Sequence, residues 1–292
     1  MSDDQWTILR LLQWTTEFFQ KRGSDSARLD AEVLLAHARS CSRIELYTAF
    51  EQEPSEEQRA AFRELVRRRG EGTPVAQLVG FKEFYSLRFR VNEHTLIPRP
   101  ETEHLVIEAL DCAKAMTDLD HPLRMVDVGT GTGAIAISFA VHQPAAEITA
   151  IDISQPALEI AQWNAETHSV ADRIRFLHGD LMASLDPQET FDIICSNPPY
   201  VSESEFAELE PTVRQHEPKS ALVSGPKGTE IIQRLLAESC SRLNPGGRLI
   251  IELSPMIADA VAELVGEFDE LGELRFIKDL AGHKRIVSVA RL

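Results

Sequence analysis

Apolar positions along this chain change their spacing twice, and each change predicts a different kind of element. Up to about residue 75 the period is helical. Ile8, Leu11, Leu12, Phe18 and Phe19 recur on one face up to Gly23, and Leu29–Leu35 makes a second helix. Ser55 with Gln58 forms a capping box ahead of Phe62, Leu65 and Val66, with Gly70 suited to the C′ position. Tyr85, Leu87, Phe89 and Val91 then alternate with more polar neighbours, a period of two that predicts a β-hairpin. Beyond it come short apolar runs that read as buried strands: Arg124–Val128, Glu147–Asp152, Ile174–His178, Phe191–Ser196 and Arg248–Leu253, with Leu274–Ile277 and Ile286–Val289 closing the sheet as a pair. Helices are expected over Glu103–Ala115, with Thr102 helping to cap it, over Ala134–Ala140, after Ser154 as N-cap and Pro156 as N1, and over 228–242. Residues from Tyr200 to about Lys227 have little strand character, and a connection that long predicts a lid or binding loop.

In open α/β sheets ligands bind at the carboxyl ends of the strands, and those ends carry this chain's candidate chemistry. The first strand runs into Gly129-Thr130-Gly131-Thr132-Gly133 and then a helix. Taken alone this loop also satisfies the dinucleotide pattern, with Asp152 at a suitable distance to bind ribose. Asp127, two residues before the first glycine, separates the readings: a carboxylate there can hold the ammonium end of an amino-acid-bearing cofactor, and a nicotinamide pyrophosphate gains nothing from it. Asp180 ends the third strand, where it can accept from an adenine amino group while Leu181 walls the ring. The fourth strand ends in Asn197-Pro198-Pro199-Tyr200. An amide or exocyclic amine nitrogen shares its lone pair with a π system and attacks poorly. If the Asn197 oxygen and a proline carbonyl each accept one N–H, that lone pair is aimed and its developing positive charge faces oxygen dipoles. Tyr200 adds a flat face.

The 292 residues, 43% hydrophobic, can bury a sizeable core and suggest one large domain with a smaller companion. The formal charge of −16 is uneven: residues 1–85 hold 12 basic against 14 acidic side chains, so the remainder carries −14. A domain that acidic repels a phosphate backbone and argues for a protein substrate over DNA or RNA. Arg63, Arg67, Arg68 and Arg69 form the one basic cluster and read as a solvated helix face. Cys41, Cys112, Cys195 and Cys240 lack paired metal spacing, so no metal site is expected and the thiols read as reduced. An acidic N-terminus and the lack of any apolar run of ~18–20 residues predict a cytoplasmic protein without membrane contact.

Asp127, the glycine loop, Asp152, Asp180 and Asn197-Pro-Pro-Tyr200 together resemble the S-adenosylmethionine-dependent methyltransferases of the doubly wound class over roughly residues 97 to 292. More narrowly, Leu96-Ile-Pro-Arg-Pro-Glu-Thr-Glu103, Gly72–Gly80 with Glu83-Phe-Tyr85, and His216–Leu222 resemble the HemK/PrmC family along the full length. That family methylates the side-chain amide nitrogen of a glutamine in the Gly-Gly-Gln motif of peptide chain release factors. The resemblance implies a seven-stranded Rossmann-like α/β sheet behind a small N-terminal helical domain. It divides the chain into a substrate-recognition domain over 1–75, a hairpin linker over 76–96 and a methyltransferase domain over 97–292. It implies that Asp127, Gly129, Thr130, Gly131, Thr132, Gly133, Asp152, Asp180, Leu181 and Asn197 bind S-adenosylmethionine, leaving S-adenosylhomocysteine as product. Asn197, Pro198 and Tyr200 would be catalytic, and Asn197, Pro198, Pro199 and Tyr200 would seat the glutamine. Arg99 or Glu101 would shape the pocket mouth or only stiffen the linker. The expected partner is a release factor, met by a monomer without direct nucleic-acid contact. The chain departs from the family pattern in having Leu181 where many relatives place an aromatic, and in Glu252-Leu-Ser-Pro-Met256, which lacks the usual glycine and glutamine. The rivals are transfer to a ribosomal-protein glutamine or to an adenine or guanine amine, a dinucleotide oxidoreductase, and a non-catalytic cofactor-binding module.

Overall fold

The computed structural model describes residues 5–116 and 119–292, so the acidic Met1–Asp4 lie outside the described residues. The chain divides into two compact units. The first runs to Gly80 and includes residues 211–216. It holds α1 (Ile8–Gln20), α2 (Ala27–Ala38), α3 (Arg43–Thr48), α4 (Glu56–Gly70) and α5 (Val75–Val79). Ile8, Leu12, Phe19, Leu34, Leu35, Leu46 and Phe62 are its largest buried side chains. The expected capping box starts α4, Ser55 and Gln58 each satisfying the other's backbone N–H. Gly70 departs from its expected C′ place: it is the last helical residue, packed on Phe18, and the left-handed φ of +104° falls on Gly72. Of the arginine cluster, Arg67 bridges Glu64 and Glu71 at the surface, whereas Arg69 pairs with the buried Asp30.

The second unit begins with a hairpin, β1 (Phe81–Phe84) and β2 (Leu87–Arg90). Sequence reading makes it a linker, but Phe84 and Phe89 are buried in the core of the second unit beside Leu105, Val106, Ile135 and Phe139. A two-stranded ribbon has too little surface to stand alone, so its apolar face must be covered by a larger body. Helix α6 (Glu103–Ala115) follows the 3₁₀ turn Pro100–Thr102. Thr102 departs from its capping role: its backbone is helical and its side chain makes no cap hydrogen bond.

Strands β3 (Arg124–Val128), β4 (Glu147–Asp152) and β5 (Ile174–His178) alternate with α7 (Ala134–His142) and α8 (Gln155–Thr167), and β6 (Phe191–Ser196) returns to the other side of β3. Ser154 caps α8 by accepting from Ala157 N, and Pro156 is its second rather than first residue. After β6 the chain leaves the sheet through β7 (Val201–Ser202) and the short helix α9 (Glu203–Phe206), contributes α10 (Pro211–His216) to the first unit, and resumes with β8 (Val223–Gly225). The parallel β7–β8 pair is a correction to the strandless loop expected there. Helix α11 (Glu230–Arg242), β9 (Leu243–Glu252), α12 (Ala258–Val265), β10 (Leu271–Lys278) and β11 (Lys284–Arg291) complete the unit. Strand β9 starts earlier than its apolar run because a bulge accommodates the Gly246-Gly247 turn.

The seven strands lie in the order β10-β11-β9-β6-β3-β4-β5, parallel from β9 to β5, with β11 antiparallel to both neighbours. Alternate residues of each strand face opposite layers, as a pleat requires. Met125, Ile193, Cys195 and Ile250 meet α6 and α7, while Val126, Val128, Ile194 and Ile251 meet Ile232, Leu235, Leu236 and Val261 of α11 and α12. No helix among the described residues is long and apolar enough to cross a membrane.

Truncating Phe89, fully buried at the hairpin, to alanine is expected to destabilise the second unit by about 3–5 kcal/mol in chemical denaturation. A loss under about 1 kcal/mol, the level of surface substitutions, means the hairpin is only a connector.

Candidate active site

The chain steps from β3 outward to β5 and then back to β6, so strand order reverses between β3 and β6 and their carboxyl ends diverge into a crevice. Val128 is paired with Ser196 there, and the Ser196 hydroxyl donates to the Val128 carbonyl at 2.7 Å, holding the two strand ends together. The glycine loop leaves β3 with left-handed φ at Gly129, Gly131 and Gly133. At Gly133 a Cβ would lie 2.7 Å from Ile137 Cδ1 and 3.2 Å from Ala161 Cβ, so glycine is required both by backbone and by the close approach of α8. Asn164 on α8 is fully buried and donates to the Thr132 and Arg90 carbonyls while accepting from Arg90 N, tying the loop to the hairpin.

Asp127 is fully buried beneath this loop. Its Oδ2 accepts from Thr130 Oγ1 at 2.6 Å and from Ala136 N, in the first turn of α7, at 3.2 Å, while Oδ1 has no partner among the described residues. Burial outweighs those two bonds and, with Asp152 nearby, pushes the Asp127 carboxyl up to about 7. Asp152, at the end of β4, receives Gly131 N on one oxygen and Ser154 N on the other. Burial raises its pKa as well. Asp180 is half-exposed and pairs with Arg234 at 2.8 Å.

At the end of β6, Asn197 Nδ2 donates to Thr102 Oγ1 at 3.3 Å, and Asn197 Oδ1 accepts from none of the described residues. Glu252, the last residue of β9, is buried, and its Oε2 has no partner among the described residues. Burial and the neighbouring Glu101 push the Glu252 carboxyl up to about 7 against Thr102, Arg285 and Arg99, which lower it. Gly228 packs beneath the same turn: a Cβ there would lie 2.7 Å from the Tyr200 carbonyl oxygen. Glu217, its side chain 1% exposed, accepts from both Arg99 and Ile97 N, clasping the segment before α6 to the segment after α10.

These elements border a cleft of about 310 Å³. The structure brings Gly129, Thr130, Gly131, Thr132, Asp152, Asp180, Leu181, Asn197, Pro198 and Pro199 onto its walls. Asp127, Gly133, Tyr200, Arg99 and Glu101 are not wall residues. Asp127 sits under the loop, Tyr200 packs against the buried cluster that the strands share with α11 and α12, and Arg99 is committed to Glu217. Sequence reasoning missed Thr102 as a neighbour of Asn197, together with Asn164, Glu217, Gly228 and the burial of Glu252. Of these only Gly228 carried a usable local signal, a glycine ahead of a helix. The donor set suits an elongated, cationic nucleoside. Acceptor-only carboxylates stand where hydroxyls and an amine would be held, and the unpartnered Asp127 oxygen lacks a positive counter-charge. The residues therefore fit S-adenosylmethionine.

Comparison with known proteins agrees with this geometry. A family model of PrmC N-terminal domains matches residues 10–80, and one of methyltransferase small domains matches 106–214. A release factor glutamine methyltransferase of Rhodopirellula baltica is 59% identical over 99% of this chain and 98% of its own length. One from Nitratidesulfovibrio vulgaris is 39% identical over 98% of this chain and 95% of its own length. Among solved structures, the catalytic domain of hMettl16 in complex with a MAT2A 3′UTR hairpin superposes with a TM-score of 0.57. It is 15% identical and covers 77% of this chain and 81% of that one, a likeness of fold alone. Near-complete coverage at 59% identity decides the matter: this chain belongs to the release factor glutamine methyltransferase family.

Proposed function

We infer that this protein transfers the methyl group of S-adenosylmethionine to the side-chain amide nitrogen of a release factor glutamine. Membership of the family supports the activity, and one observation of the site carries the chemistry. Asn197 commits its Nδ2 to Thr102 and leaves its carbonyl oxygen without a partner at the cleft, where it can accept an N–H of the incoming carboxamide. A donor at that position would repel the same group. The cofactor supplies a methyl carbon on a positively charged sulfur. The chain's own part is positional: Asp152 takes the ribose hydroxyls, Gly129–Thr132 bring backbone close to the donor, and Asp180 and Leu181 border the base. Asn197 and the backbone carbonyl of Pro198 hold the nucleophilic nitrogen in line. On transfer a new N–C bond would replace the S–C bond of the donor, S-adenosylhomocysteine would be the leaving group, and the proton lost by the nitrogen would pass to solvent. Tyr200 supports the turn from behind and Arg99 with Glu101 shapes the approach. On this reading the acceptor glutamine is that of the Gly-Gly-Gln motif, the helical unit recognises the release factor, and the enzyme works as a cytoplasmic monomer without nucleic acid.

Incubation with labelled cofactor and a panel of release factor, ribosomal protein and DNA tests the assignment. Label is expected on a release factor glutamine, and label on any other acceptor overturns it. Asn197→Ala is expected to lower kcat about 100-fold or more while calorimetry still shows cofactor binding; near-normal turnover defeats the amide-holding mechanism. Gly228→Ala, by pushing on the Tyr200 carbonyl, is expected to lower kcat about 10-fold or more with cofactor Kd within a few-fold of wild type.

A further expectation concerns protons. Asp127 is largely protonated below about pH 7, and an arriving cation favours its charged form. Binding therefore releases a proton below that pH, and affinity rises as pH increases toward and through about 7. Calorimetry at pH 6.5 in buffers of different ionisation enthalpy measures this release. Asp127→Asn is expected to bind more weakly and to release less; an unchanged proton count in the variant refutes the linkage.

A further inference from the structure

Helices α1 and α4 of the first unit border a groove of about 550 Å³ that takes no part in the transfer chemistry. Its floor is apolar, with Leu11, Phe62 and Val66 buried there. Its two walls differ. Trp14 and Phe18 of α1 line one, their rings stacked with centroids 5.2 Å apart, and the Trp14 side of the stack is left 49% exposed. Arg59, Arg63 and Arg67 line the other, spaced so that they follow one another along a single face of α4 for about 12 Å. Arg59 pairs with Glu56, and Arg67 with Glu64 and Glu71, whereas Arg63 has no carboxylate partner among the described residues. Three arginines against the single Glu56 give the groove a positive lining in a chain whose formal charge is −16.

We propose that this groove docks an acidic amphipathic helix of the release factor, its apolar side chains seated on the floor beside Trp14 and one of its carboxylates meeting Arg63. A trough between two helices suits a third helix, whose anchors at i, i+3 or i+4 and i+7 fill an apolar floor. Tryptophan and arginine around such a floor are the side chains that carry most of the binding energy at protein interfaces. Charge then selects among apolar helices: the arginine row repels a basic one and attracts an acidic one, and the unpaired Arg63 guanidinium fixes its register. A single strand of nucleic acid fits less well. Its bases need open ring faces to stack on, and Phe18 is engaged by Trp14 and by the Arg22 guanidinium 3.8 Å from its ring centroid. The proposal names the surface and the substrate segment through which the helical unit recognises its partner, and it rests on the transfer reading above.

Kinetics on the full-length enzyme with intact release factor test the groove. Trp14→Ser and Arg63→Glu are each expected to raise KM for release factor about 10-fold or more, with kcat at saturation within about twofold and cofactor Kd and melting temperature nearly unchanged. Arg68→Glu makes the same change of charge on an exposed position of α4 that does not line the groove, and is expected to leave KM within about twofold. KM unchanged in both groove variants, or raised as much by Arg68→Glu as by Arg63→Glu, overturns the proposal. A photocrosslinking amino acid at position 63, mapped by mass spectrometry, identifies the occupant. Attachment to an acidic helix of the release factor supports the assignment; attachment to a basic segment or loop of it, to a second copy of the enzyme or to the enzyme's own residues 1–4 overturns it. So does a fluorescent oligouridylate that binds wild type and is lost from both groove variants. Calorimetric titration with release factor in the absence of cofactor separates the two readings. Normal labelling of release factor by wild type with unchanged binding in the groove variants removes the groove and leaves the transfer reading standing. Wild type that leaves release factor unlabelled, yet binds it through Trp14 and Arg63, removes the choice of acceptor and leaves the groove.

Discussion

The register between β3 and β6 is the constraint on which the site depends. Asp127 lies opposite Cys195 and Val128 opposite Ser196, so the glycine loop and Asn197 leave the sheet at the same height on neighbouring strands. A parallel pair slipped by one residue would turn every side chain to the other face, sending Asp127 from the α7 side into the apolar α11–α12 layer. Both faces of β6 are buried in unlike neighbours, Cys195 against α6 and α7 and Ile194 against α11 and α12, and the hydroxyl bond from Ser196 adds a polar lock. Core packing thus places the donor pocket and the acceptor turn side by side.

Around this frame the unit keeps acids where hydrophobic packing alone would exclude them. Asp127 and Glu252 are almost wholly desolvated, each with one oxygen lacking a partner among the described residues, and Asp152 is nearly as buried. A buried carboxylate with incomplete hydrogen bonding opposes folding, so residues of this type persist at sites where a ligand or a fixed dipole uses them. The N-terminal unit offers the contrast: Asp30 and Glu32 are as deeply buried, but each is matched to an arginine and to hydroxyl donors. Matched acids hold structure together, and unmatched ones mark a cleft.

Much of the sheet could be read from the sequence because its strands are short apolar runs that stop at Gly, Asp or Asn, and a period-two or period-3.6 pattern is local. The glycine loop, Asp152, Asp180 and Asn197 stand out for the same reason, each at the end of such a run. What escaped depended on partners distant in sequence. Asn164 bonds to Arg90, 74 residues away, and Asn197 bonds to Thr102, 95 away; nothing local to Thr102 distinguishes it from a helix cap. The hairpin was legible as a hairpin and not as core, since alternation reveals one apolar face without revealing what covers it. Sequence reading gives Tyr200 a flat face for the acceptor; it is not on the cleft wall and packs against the buried cluster shared by the strands with α11 and α12.

Glu217 draws together positions 118 and 120 residues away in the chain. Closing a loop of that length costs more conformational entropy than closing any single turn of the sheet, though the cost grows only logarithmically with length. The cleft wall at this clasp is therefore built from residues far apart in the chain. Ordering β3 to β6, which lie between the clasped positions, lowers the entropy that the clasp must overcome, so the mouth of the pocket leans on the sheet behind it.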